Sequence, residues 1–134
     1  AGIRLGICYA SIEIISILNK IKPPYNVNLL TQNEALKGLS NQNNLKKQIE
    51  IIRSERIKLV EIIKDISFVK TVFPTDSNFV LIRVDDANKR YDQLIKKGII
   101  LRNRHGQSLC DNCLRITIGT PSENLKLINA LQNI

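Results

Sequence analysis

The sequence predicts an α+β fold, with helices packed on one largely antiparallel sheet, and three observations carry that expectation. Short runs with period-two alternation come in two pairs, at 68–73 with 78–84 and at 98–102 with 113–118, as half-buried strands require. Segments with apolar residues every three or four positions stand before, between and after those pairs, the spacing of amphipathic helices. A polar cluster, Ser40-Asn41-Gln42-Asn43-Asn44, separates this pattern from what precedes it and marks the best domain junction, dividing 1–40 from 41–134. Beyond it the order is helix, strand, strand, helix, strand, strand, helix, a small two-layer domain.

Taken in order, Ala1 to Tyr9 reads as a strand containing Gly2 and Gly6, and its position at the very start of the chain suggests a truncated sequence. Ser11 is placed to cap a helix from Ile12 to about Lys20, with Ile14, Ile15, Ile17 and Leu18 as its buried side. Pro23 and Pro24 end it, because a residue before proline is driven out of the helical region. Asn28 can cap a second helix to about Leu39. A long helix of about 22 residues, roughly 33 Å at 1.5 Å per residue, follows from Leu45, on the stripe Leu45, Ile49, Ile52, Leu59, Ile63 and Ile66, broken only at Arg56. Such a helix can span two domains.

The strand from Asn78 to Val84 alternates Val80, Ile82 and Val84 against Phe79 and Leu81, a pattern for a central strand. The helix from about Ala87 to Lys97 turns Tyr91, Leu94 and Ile95 inward and stops at Gly98. The last helix starts on a threonine cap, Thr120, with Pro121 in its first turn and Glu123 placed to close a capping box, and buries Leu125, Leu127, Ile128 and Leu131.

Composition narrows the function classes. At 134 residues, 43% hydrophobic and 24% charged, the chain is of ordinary single-domain size and is neither disordered nor membrane-embedded. No apolar run approaches the length of a membrane span and no signal-peptide pattern opens the chain, so the expected compartment is the cytoplasm. Twenty basic against twelve acidic residues leave a charge of +8, which calls for an anionic partner. With only 4% aromatic residues to stack on bases, a small anion is favoured over nucleic acid. Three cysteines, Cys8, Cys110 and Cys113, fit a reducing compartment. Cys110-Asp111-Asn112-Cys113 has no second pair, and His105 alone does not complete a zinc site, so a turn is expected there and no metal.

The two last strands each carry an arginine, Arg102 and Arg115. Alternation puts Leu114, Ile116 and Ile118 on one face and Cys113, Arg115 and Thr117 on the other. A guanidinium anchored on a strand offers paired, charge-assisted hydrogen bonds to a carboxylate or phosphate. Spacing alone also leaves open that both are solvated or salt-bridged surface residues.

Five segments occur in one order: Ala1-Gly2-Ile3-Arg4-Leu5-Gly6, Pro23-Pro24-Tyr25-Asn26-Val27-Asn28, Ser77-Asn78-Phe79, Gly98-Ile99-Ile100-Leu101-Arg102, and Leu114-Arg115-Ile116-Thr117-Ile118-Gly119-Thr120. The series resembles the C-terminal part of the histidinol-phosphate aminotransferases, fold-type I enzymes dependent on pyridoxal 5'-phosphate. The resemblance implies an α/β parent whose large-domain remnant is 1–40 and whose small substrate-binding domain is 41–134. It implies a cytoplasmic homodimer of histidine biosynthesis that takes small anionic substrates, exchanging an amino group between glutamate or 2-oxoglutarate and histidinol phosphate or imidazole acetol phosphate. No nucleic-acid or membrane partner is expected.

By the same resemblance Arg4 holds the cofactor phosphate, a reading its place between two glycines supports. Arg115 takes the glutamate carboxylate and, in the other half-reaction, the substrate phosphate, and Arg102 is a second phosphate-side arginine. The family's Schiff-base lysine lies before the first motif, so no catalytic residue is assigned here and residues 1–134 alone are expected to be inactive. Tyr25 reads as packing rather than contact, and Asn78 as either a cleft residue or a turn cap. Other aminotransferases of this fold, such as the aromatic and threonine-phosphate ones, share the arginine logic. A free-standing basic module for nucleic acid or another anionic partner is the alternative from a different class.

Overall fold

The structure, a computed structural model, describes residues 2–134. It divides into two compact units, one running to Lys46 and one from Lys47 to Ile134.

The first unit contains α1 (Ile12–Ile21) and α2 (Leu29–Ser40). The Asn28 side chain accepts from the Thr31 backbone N–H at 2.9 Å and so caps α2 as expected. Ser11 occupies the N-cap position of α1 but its side chain makes no capping hydrogen bond. Neither helix has a buried residue. Ile14, Ile17 and Leu18, expected on a buried side, are exposed, and Ile15 is half-buried. The strand expected over 1–9 does not form in the described residues 2–9: Gly2 and Ile3 make a turn and the rest is irregular. A strand needs a neighbour whose backbone groups complete its ladder, and this unit supplies none.

In the second unit lies most of α3 (Gln42–Lys64), which begins three residues before the first apolar position of its stripe. It is followed by β1 (Val69–Val72), β2 (Phe79–Val84), α4 (Ala87–Lys96), β3 (Arg102–Asn103), β4 (Cys113–Thr117) and α5 (Pro121–Gln132). The strands form one antiparallel sheet in the order β1-β2-β4-β3, which makes β2 and β4 central. Val80, Ile82 and Val84 of β2 join Leu114, Ile116 and Ile118 in a core closed by Leu59 and Ile63 of α3, Leu94 of α4, and Leu127 and Leu131 of α5. Each such side chain removed from water contributes about 1.5–3 kcal/mol before chain entropy is charged against it. The sheet is therefore rigid where the later strands must hold charged groups.

Two details of this unit depart from expectation for identifiable reasons. The strand expected over Gly98–Arg102 shrinks to β3, because the end of α4 takes up what the ladder would have used. Gly98, at φ +76°, donates its N–H to Ile95 O at 2.9 Å and Ile99 donates to Leu94 O at 2.9 Å, the paired bonds of a Schellman stop. The segment leaves that turn out of register, and its ladder with β4 begins only at Arg102.

The inner faces of α4 and α5 are also rotated. Leu125 and Ile95 are exposed, whereas Asn124 is buried. The Asn124 amide donates to Glu55 Oε2 at 3.0 Å and Gly119 O at 3.2 Å, and its Oδ1 accepts from Gly119 N at 2.9 Å. With Asn124 and then Lys58 hydrogen-bonded to it, the buried Glu55 carboxyl is held below its usual range. A polar residue satisfied on three sides can take an inner position that periodicity assigns to a leucine. The capping box at Thr120 and Glu123 is complete.

Candidate functional site

The face of the sheet away from the core carries Phe79, Leu81 and Arg83 of β2, Cys113, Arg115 and Thr117 of β4, and Arg102 of β3, by the alternation of each strand and its register. Arg102 and Arg115 are direct Cα partners across β3 and β4, so both arginines picked from the sequence lie on one face of adjacent strands. Arg104 N donates to Cys113 O at 2.9 Å, which carries the pairing one rung past Asn103 and puts a third arginine beside them.

Arg115 is half-buried, and its guanidinium carbon stands 5.1 Å from the centre of the Phe79 ring. Its Nε is enclosed with no hydrogen-bond partner. Burial first, then the positive fields of Arg104 and Arg102, push this guanidinium below its ordinary pKa, although an arginine keeps its proton in a protein. Among the described residues, none of Arg102, Arg104 and Arg115 takes part in an ion pair. A buried donor left unmade costs about 1–3 kcal/mol, and mutual repulsion of three cations adds to it. An anion seated on this face would offset the mutual repulsion, and a planar guanidinium fork suits two oxygens.

The loop between β3 and β4 is built to hold that cluster. Arg83, whose guanidinium carbon lies 5.4 Å from the Phe73 ring centre, donates from Nε to Asp111 O at 3.1 Å and from Nη2 to Leu109 O at 3.4 Å. Gly106 makes the turn at φ +89°. His105 is exposed, and its Nδ1 accepts from Asn112 N at 3.1 Å, which fits a loop histidine. Cys113 N donates to Cys110 O at 3.0 Å across the turn expected between the two cysteines. Neither Arg104 nor the bracing role of Arg83 was found from the sequence, although Arg104 stands two residues from Arg102, the spacing that shares a strand face.

Arg4 belongs to the first unit and is exposed. Its φ is +60°, an uncommon conformation for a residue with a Cβ, and one that collects at ligand sites. Gly2 and Gly6, on either side, have no atom within 4 Å of where a Cβ would stand, so the backbone there is open to approach. Tyr25 and Asn78 are exposed, and the Asn78 carbonyl accepts from Ile118 N at 2.9 Å.

Comparison with known proteins gives a consistent answer. Over 134 residues, all of this chain and 38% of the relative, the sequence is 58% identical to a histidinol-phosphate aminotransferase of Christiangramia forsetii. The crystal structure of the histidinol-phosphate aminotransferase from Clostridium acetobutylicum superposes with a TM-score of 0.79 at 30% identity, over 90% of this chain and 37% of that one. A histidinol-phosphate aminotransferase from Sinorhizobium meliloti, solved in complex with pyridoxal 5'-phosphate, shares the fold with a TM-score of 0.72 at 23% identity, over 88% of this chain and 33% of that one. The chain thus spans somewhat over a third of the length of the relatives it matches. The family model for aminotransferase class I and II matches residues 1–131, and the chain belongs to that family.

Proposed function

We propose that this chain is the C-terminal part of an aminotransferase that passes an amino group between glutamate and histidinol phosphate in histidine biosynthesis, and that its second unit binds the substrates. The observation that carries the reading is the unpartnered Nε of Arg115 beside its cross-strand partner Arg102. The glutamate carboxylate and the histidinol-phosphate phosphate are both anions that a guanidinium fork accepts, and they occupy it in alternate half-reactions. Arg102 serves mainly the phosphate. A donor set of two strand-held arginines with no carboxylate paired to them suits this exchange, because neither substrate has to displace an internal ion pair.

The residues present also suit the phosphate end of pyridoxal 5'-phosphate. Arg4 is exposed and stands at a position of positive φ, with Gly2 and Gly6 leaving the backbone accessible. Arg4 would hold that phosphate, and the cofactor, when bound, would supply the electron sink on which amino transfer depends. The lysine that binds the cofactor covalently is assigned to sequence preceding residue 1. Residues 1–134 alone are then inactive, and the working protein is a cytoplasmic homodimer whose large domain includes the first unit.

Paired substitutions in the complete aminotransferase test the roles. Arg115→Ala weakens binding of both glutamate and histidinol phosphate, each by about ten- to a hundredfold, the scale of a charge-assisted pair. Arg102→Ala weakens histidinol phosphate more than it weakens glutamate. Single-turnover titrations with each substrate read both effects, and glutamate binding left intact by Arg115→Ala refutes the assignment. For residues 1–134 alone, a stoichiometric borohydride-stable adduct of pyridoxal phosphate on one lysine, together with turnover, refutes the expected inactivity.

A further inference from the structure

We propose that Arg104 is a third ligand of the anion site and sets its preference for a doubly charged phosphate over a singly charged carboxylate. The inference rests on the reading of Arg115 and Arg102 given above and adds a specificity determinant to it.

Position is the first ground. Arg102 and Arg104 are two residues apart on a segment whose pairing with β4 runs from Arg102↔Arg115 through Asn103↔Leu114 to the Arg104 N–H on Cys113 O at 2.9 Å. Residues i and i+2 of an extended segment share a face, and diagonal neighbours across a strand pair come within reach of long side chains. Asn103, between them, points the other way, its Nδ2 donating to Asn88 Oδ1 of α4 at 2.7 Å. Arg104 therefore sits on the Arg115 side, and it acts on Arg115 more strongly than Arg102 does.

Preorganisation is the second ground. Arg104 is half-buried, and its backbone is held on both sides. Its N–H is spent on β4, and its carbonyl accepts from Gln107 N at 3.1 Å. His105 N donates to Asn103 Oδ1 at 2.9 Å, and Arg83 ties down the far end of the loop through the Asp111 and Leu109 carbonyls. A backbone fixed in this way leaves only the side chain to be ordered when an anion arrives. No ion pair neutralises it among the described residues.

Charge arithmetic then gives selectivity. At fixed geometry the Coulomb energy between a cation and a ligand scales with the ligand's charge. Deleting one cation therefore costs a dianion about the square of the factor it costs a monoanion. Phosphate carries about −1.5 to −2 at neutral pH, a carboxylate only −1. Arg102 and Arg115 by themselves already favour the dianion, each by one such factor. The third guanidinium widens the gap.

The test uses residues 1–134, with inorganic phosphate and acetate as probes at constant ionic strength and pH 7.5. The arginine Nε–Hε cross-peaks are followed by NMR. In the unaltered chain, phosphate moves the Arg104 cross-peak along the same binding curve as that of Arg115. Arg104→Gln raises the dissociation constant for acetate about threefold and for phosphate about tenfold, following the charge scaling. Arg104→Lys, which keeps the charge, holds phosphate within about threefold of the parent. An Arg104 cross-peak that stays still while those of Arg115 and Arg102 move overturns the inference and leaves the proposed function standing, even if the variants fold poorly. Equal weakening of both anions by Arg104→Gln overturns it too. Should phosphate move none of the three, the anion site itself fails, and the proposed function with it.

Discussion

Gly119→Ala is the substitution to which the second unit should be most sensitive for its size. Gly119 follows β4 and precedes the threonine cap of α5. A Cβ there would stand 2.9 Å from Glu123 Cβ, 2.9 Å from Glu123 Oε2 and 3.3 Å from Asn124 Oδ1. Carbon pairs prefer about 3.5–4.0 Å, and the Glu123 Cβ is too close to the helix backbone to swing away. The strand end or the first turn of α5 must shift. Either movement strains Glu123 Oε2 on Thr120 N at 2.8 Å, and Asn124 Oδ1 on Gly119 N at 2.9 Å. Losing a cap costs about 1 kcal/mol, and overpacking costs about 1–3 kcal/mol, so a net loss of about 2–4 kcal/mol is expected. For a unit of this size that lowers Tm by about 10–30 °C.

Thermal unfolding followed by circular dichroism measures the shift, with Thr120→Ala as a companion. Because Gly119→Ala already disturbs the box, Thr120→Ala should cost less in that background than alone, the non-additivity of groups that share a network. A Tm within about 2 °C of the parent, or strict additivity in the double variant, refutes the coupling of β4 to α5 through Gly119.

Three further outcomes follow from the same contacts. Gly98→Ala meets no atom within 4 Å, so its cost is that of φ +76° alone, about 1–2 kcal/mol by chemical denaturation; no measurable loss would argue against the Schellman stop. Asp85, gripped by Arg90 at 2.9 Å and 2.6 Å, has its pKa lowered to about 2; since the folded value lies below the unfolded one near 4, its contribution is present above pH 4 and fades as pH falls toward 2. The denaturant midpoint should drop over that window in the parent and drop less in Asp85→Asn, with identical slopes counting against the pair. Limited proteolysis should remove residues up to about 46 first, since α1 and α2 bury nothing; cleavage inside 55–66 while 1–40 stayed intact would reverse the expected order.

Part of the site is legible in the order of residues. Arg115 sits in a strand whose alternation separates Leu114 and Ile116 from Cys113 and Thr117, and burial follows that division except at Cys113, which is enclosed as well. The direct pairing of Arg102 with Arg115 is not legible there, because register depends on where β3 leaves the preceding turn. Arg104 is hidden for the same reason. With the strand expected to end at Arg102, the residue two positions on belongs to a loop and has no face. Arg83 looks like one charge among twenty, yet its two bonds to loop carbonyls span 26 and 28 residues of sequence.

Local sequence suffices for the α+β class, the helix starts at Asn28 and Thr120, the stop at Gly98, the central place of β2 and the membership of an aminotransferase family. A cap, a left-handed glycine or an alternation of period two acts within a few residues, and a family signature is a string of such segments. It took the folded chain to bring three arginines onto one face with an unspent Nε, to put Asn124 in place of a leucine at the inner face of α5, and to leave residues 2–9 paired with no strand. Each depends on what a distant segment offers, a carbonyl from a loop, a carboxylate from α3 or a neighbouring strand that the first unit lacks. Hydrogen bonds and charge interactions are satisfied in space, so their partners cannot be assigned by spacing along the chain.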